Sequence, residues 1–99
     1  MQVLKGILRD SLVYYERLER ELKRRIQALP KGSVKRRSIR GHTYYYLQFR
    51  QGRRVVHRYL GRYEPEKLIR DIKKRHMLMK ELVAVRQALR LLPKRKLTP

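Results

Sequence analysis

The residues best equipped for chemistry in this sequence are cations. Between Lys31 and Tyr63 there are ten of them and no acid: Lys31, Lys35, Arg36, Arg37, Arg40, Arg50, Arg53, Arg54, Arg58 and Arg62. Aromatic rings crowd the same stretch, as Tyr44, Tyr45, Tyr46, Phe49, Tyr59 and Tyr63, with only Tyr14 and Tyr15 elsewhere. A guanidinium fork grips phosphate oxygens and base edges, and an aromatic ring stacks on a base or on the guanidinium itself. This is the chemistry of polyanion recognition. Catalysis has little to draw on. The sequence contains no P-loop, no glycine-rich dinucleotide turn, no Gly-x-Ser-x-Gly elbow and no HExxH. His42, His57 and His76, with no cysteine beside them, make no zinc spacing. The chain is therefore expected to be no enzyme, with no metal, no cofactor and no small-molecule substrate.

The charge balance points the same way. A formal net charge of +20 on 99 residues makes the folded chain repel itself, and a polyanion relieves that repulsion. Nucleic acid fits best, because neutralised phosphates release condensed counterions. Arg outnumbers Lys, which favours phosphate and base recognition. Anionic lipid is the competing partner. The helices expected below mix charge signs and lack a basic face with bulky insertion residues, so no membrane association is expected. No apolar run approaches the ~20 residues that span a bilayer. The stretch from Met1 to Leu8, interrupted by Lys5 and Gly6, does not read as a secretory signal. Without cysteine, nothing argues for an oxidising compartment, and a cytoplasmic location is expected.

The elements that must position these residues follow from periodicity. Leu12, Tyr15, Leu18, Leu22, Ile26 and Leu29 recur three or four apart, which predicts a helix over about residues 10–28 with Asp10 or Ser11 as N-cap. Pro30 and Gly32 end it, and whether residues 3–8 extend it at the other end is left open by Gly6. Three strands are expected next, over 34–40, 43–50 and 53–60, with Gly41-His42 and Gln51-Gly52 as turns and Gly61 closing the last. Glu64-Pro65-Glu66 suits a helix start, and that helix runs to about Leu92. Its expected stripe is Leu68, Ile72, Met79, Leu82 or Val83, and Leu89, with His76 in the same face and Met77 and Met79 as core filler. A short basic tail occupies residues 94–99.

So short a chain reads as a single domain, 1–99, of the α+β class: two long antiparallel helices flanking a three-stranded antiparallel β-meander (α-β-β-β-α). The corresponding ranges are about 10–28, 33–61 and 65–92, with the tail over 93–99. Its core must be thin, and the leucine-rich helices could also associate with a second copy.

Strand alternation sorts the sheet into two faces. With Arg50 opposite Arg53, one face holds Tyr45, Leu47, Phe49, Arg54, Val56, Arg58 and Leu60. The other holds Tyr44, Tyr46, Gln48, Val55, His57 and Tyr59. The Arg54 and Arg58 face is expected to be the solvent or ligand side, because two arginines buried without acids would be costly. The tyrosines read first as sheet packing and second as base stacking. The expected contact residues are Lys35, Arg36, Arg37, Arg40, Tyr45, Arg50, Arg53, Arg54, Arg58 and Arg62.

Two resemblances add to this reading. Leu-Pro-Lys-Gly-Ser at 29–33, Tyr-Tyr-Tyr-Leu-Gln-Phe-Arg-Gln-Gly at 44–52 and Tyr-Leu-Gly at 59–61 resemble a family of short uncharacterised prokaryotic and phage-associated proteins. More loosely, the order of strands and the Arg/Tyr texture from Ser33 to about Arg75 resemble the three-stranded N-terminal DNA-binding domains of phage and transposon integrases. That second resemblance implies a sheet set into the major groove. The long N-terminal helix has no place in it, and no recombinase catalytic domain follows. The expected function is nucleic-acid binding, with double-stranded DNA favoured over RNA, as a small regulator, a mobile-element accessory or an architectural factor. An RNA-binding or ribonucleoprotein role is the close second. A phage-type interaction module or inhibitor acting through its helices is the third.

Overall fold

The computed structural model describes residues 2–93, and the basic tail expected over residues 94–99 lies outside them. Five elements follow in order: α1 (Gln2–Gln27), β1 (Ser33–Ile39), β2 (His42–Gln51), β3 (Arg54–Gly61) and α2 (Glu66–Leu91). The α+β order α-β-β-β-α is the one the sequence predicts.

Helix α1 begins well before the expected start, so Asp10 and Ser11 lie inside it and cap nothing. Gly6 costs a helix about 1 kcal/mol, but Leu8 and Leu12 carry the apolar stripe through it, and both are half-buried. The stripe expected from Leu12 onward is buried or half-buried throughout, with Leu22 fully enclosed. An Ala28 N–H···O=C Arg24 bond of 3.3 Å closes the last turn ahead of Pro30.

The described residues divide into two compact units, one of residues 2–28 and 77–93, the other from Leu29 to His76. In the first, α1 pairs with the second half of α2. Leu22 and Ile26 on one helix and Leu78, Leu82 and Val85 on the other are its buried side chains. Arg86 Nε donates to Glu19 Oε2 at 3.2 Å across the pair. Both partners are partly exposed, so this bridge contributes at most about 1 kcal/mol. The α2 stripe differs from the expected one. Leu78, Leu82 and Val85 are buried, while Met77, Met79 and Val83 are exposed. A spacing of four and then three from Leu78 keeps one face inward, and neighbours one position away rotate off it by about 100°. The methionines are therefore not core filler.

In the second unit the strands form one antiparallel sheet in the order β1-β2-β3. Both hairpin turns sit one residue from their expected places. Arg40 and Gly41 have φ of 52° and 80°, so they form the two central positions of a type I′ turn, and His42 belongs to β2. Gly52, at φ 62°, takes the first central position of a type II′ turn with Arg53 second. Gln51 therefore pairs with Arg54, and Leu47 with Arg58. Both partners of the second hairpin moved by one residue, so the partition of side chains between faces is unchanged. Tyr46 pairs with Tyr59 but Tyr45 with Gly61, which leaves Leu60 as the extra residue of a β-bulge.

The face bearing Tyr45, Leu47 and Phe49 also carries Val34 and Arg36 through the β1 register. Its Leu47 is buried, as is Ile72 of α2. Val34, Arg36 and Tyr45 line a cleft together with Ile69, Ile72, Lys73 and His76 of α2. This is the face that packs on the helix, and it is the Arg54 and Arg58 face, which corrects the expectation that it is the solvent side. The burial argument misled because cost falls on atoms, not faces. Arg54 and Arg58 stay exposed, and Arg58 Cζ lies 5.6 Å from the Phe49 ring centroid. His76 shares the face of Ile69 and Ile72 but is exposed where it lines the cleft, so it is not a core residue.

Candidate nucleic-acid interface

The opposite face of the sheet is built by cross-strand pairing. Arg37 stands opposite Tyr44, and Lys35 opposite Tyr46, which in turn faces Tyr59. Gln48 faces His57, and Arg50 faces Val55. Ile39 and His42 complete the face beside the first turn. No acid occurs in any of the three strands.

Rings run continuously across this surface. Tyr46 and Tyr59 have centroids 5.5 Å apart, Tyr59 and Tyr44 6.3 Å, and Tyr44 and His42 6.5 Å. Two guanidinium groups lie against them: Arg37 Cζ is 5.3 Å from the Tyr46 centroid and Arg62 Cζ 6.0 Å from that of Tyr44. Arg62 Nη2 also donates to His42 Nδ1 at 2.7 Å. Arginine has no acceptor, so Nδ1 is the acceptor in this contact. Each cation–π contact at an exposed site contributes about 0.5–1 kcal/mol. Its larger consequence is order. A guanidinium resting on a ring has fewer rotamers to lose when it meets an anion. Tyr59 is exposed, at 54%.

The residues expected from sequence divide among three locations. Lys35, Arg37 and Arg50 lie on this outer face, and Arg62, just past β3, reaches it through Tyr44 and His42. Arg40 and Arg53 occupy the exposed tips of the two hairpins. Arg36, Tyr45, Arg54 and Arg58 lie on the helix-facing side, with Arg36 and Tyr45 lining the cleft. The residues that the sequence reading left out are His42, Tyr44, Tyr46 and Tyr59. A signal for them was present. Val34, Leu47 and Val56 are the aliphatic positions that share one face across three strands, and that marks the packed side.

Among the described residues no group of three or more His, Cys, Asp or Glu could hold a metal ion. No described helix is long and apolar enough to cross a membrane.

A family model described as a domain of unknown function, DUF6788, matches residues 14–70, from within α1 through the whole sheet to the first turns of α2. The match covers more than half of the chain, which belongs to this family. No curated protein and no solved structure matches it.

Proposed function

We propose that this DUF6788 member binds nucleic acid with the outer face of its β-meander, and that double-stranded DNA is the preferred ligand. The observation that carries the reading is the acid-free surface on which Arg37 and Arg62 are propped on Tyr46 and Tyr44. Two of the tyrosine rings are engaged with guanidiniums, which suits them to presenting arginines more than to stacking on unpaired bases. A face so equipped offers bidentate donors to base edges and phosphates, with Gln48 and His57 between them as further hydrogen-bonding groups. Arg40 and Arg53 at the hairpin tips extend the cationic surface at either end toward a phosphate backbone. A sheet set into the major groove is also the mode of contact that the likeness to integrase N-terminal domains implies.

Fluorescence anisotropy with a labelled duplex tests this directly. Arg37→Ala with Arg62→Ala is expected to weaken binding at least tenfold (about 1.4 kcal/mol), and Arg54→Ala with Arg58→Ala by clearly less. Equal losses in the two pairs would contradict the assignment of the outer face.

A second reading has its own support. Exposed Tyr59, next to Tyr46 and Tyr44, offers a platform on which an unpaired base could stack, as in single-stranded or looped RNA. Competition of the bound duplex by single-stranded DNA and by an RNA hairpin separates the two. Duplex DNA is expected to compete best, and a loss on Tyr59→Ala confined to single strands would favour RNA.

A further inference from the structure

The cleft on the helix-facing side of the sheet is separate from the surface described above, and its lining is mixed in a particular way. Its volume is about 340 Å³, at the lower end of the range of small-ligand sites, ~300–1,000 Å³. Its apolar part comes from the aliphatic side chains of β1 and α2, with Ile72 buried. Tyr45, half-buried, adds an aromatic ring, and Arg36 is its direct cross-strand neighbour. Lys73 and His76 come from α2: His76 stands on the same helical face as Ile72, four residues on, and Lys73 flanks that face, rotated from Ile72 by about 100°. The lining thus gathers two permanent cations and an imidazole from separate elements, against the single carboxylate of Glu64.

We propose that this cleft binds a mononucleotide, a planar base joined to a phosphate. The base lies against Tyr45 and the aliphatic side chains, which cover apolar surface that would otherwise meet water. The phosphate is held by Arg36 and Lys73, both of them exposed residues of the cleft lining. His76 is a further donor to the phosphate. Glu64 accepts hydrogen bonds from the ribose hydroxyls or an exocyclic amine. The assignment departs from the expectation that the chain takes no small molecule, and it does not depend on the outer-face reading, because Arg36, Tyr45 and Lys73, which carry it, are not on the outer face.

The test is calorimetric titration of the full chain with AMP, adenosine and inorganic phosphate. Saturable one-to-one binding of AMP with Kd below about 1 mM is expected, at least tenfold tighter than adenosine or phosphate alone. Arg36→Glu with Lys73→Glu should weaken AMP binding at least tenfold. Both side chains are exposed, so that variant should melt with the parent; if it does not, Lys73→Gln alone supplies the same comparison. Arg37→Ala with Arg62→Ala, on the outer face, should leave AMP binding unchanged while duplex affinity falls. Absence of saturable AMP binding would overturn the proposal. So would equal binding by the charge-reversed chain, or an equal loss in the outer-face variant, which would mark general attraction to a cationic protein.

Discussion

Gly32 has φ of +110°, and a Cβ built on it would lie 2.6 Å from the carbonyl oxygen of Gln48. The chain enters β1 pressed against β2, and only a residue without a side chain fits. Gly32→Ala is expected to cost about 2–4 kcal/mol, from the disfavoured backbone and the clash together, measured by thermal or urea unfolding. Arg40 is the opposite case. It occupies a left-handed position of a type I′ turn, where asparagine or glycine is favoured, and its side chain is exposed. Arg40→Asn should stabilise the fold by about 0.5–1 kcal/mol and weaken duplex binding by removing a cation at the sheet tip. Stabilisation with unchanged affinity would remove Arg40 from the interface. Turn chemistry of this kind is only partly legible in sequence. The glycines announce both corners, but whether Gly41 or Gly52 comes first or second in its turn depends on strand twist and pairing, which propensity does not encode.

At the scale of elements, the type and order of all five were legible because their periods differ: three to four residues in the helices, two in the strands. Boundaries were less so. The start of α1 depends on whether Leu8 and Leu12 gain enough burial to offset Gly6, which is a question of tertiary packing. The stripe of α2 was read one position off at Met79, because Met77, Leu78 and Met79 are three consecutive apolar residues and their types alone do not say which one points inward. Which of them is buried has a measurable consequence. Leu22→Ala, at a fully enclosed position, should cost about 2–5 kcal/mol, whereas Met77→Ala should cost less than about 1 kcal/mol. Comparable losses would contradict the helix pairing described for the first unit. The sheet faces show a different limit. Alternation sorted the residues correctly even with the turn displaced, yet choosing the packed face from the two arginines failed, since long side chains at a sheet margin escape burial.

For the whole molecule, the net charge of +20 makes attraction to any polyanion strong at low salt, so affinity by itself proves little. The informative quantities are its salt dependence and how it divides between the two faces of the sheet. Six cations on the outer face and hairpin tips (Lys35, Arg37, Arg40, Arg50, Arg53 and Arg62) would give a slope of log K against log salt of about −5 if each neutralises one phosphate of a duplex. Removing Arg37 and Arg62 should lower that slope by about 2 in magnitude. The measurement that tests the account most directly is this titration repeated on the parent chain, on Arg37→Ala with Arg62→Ala, and on Arg54→Ala with Arg58→Ala. The account predicts that the outer-face pair loses at least tenfold in affinity and flattens the slope, while the helix-side pair stays close to the parent. Similar affinities and slopes for the two variants would contradict it.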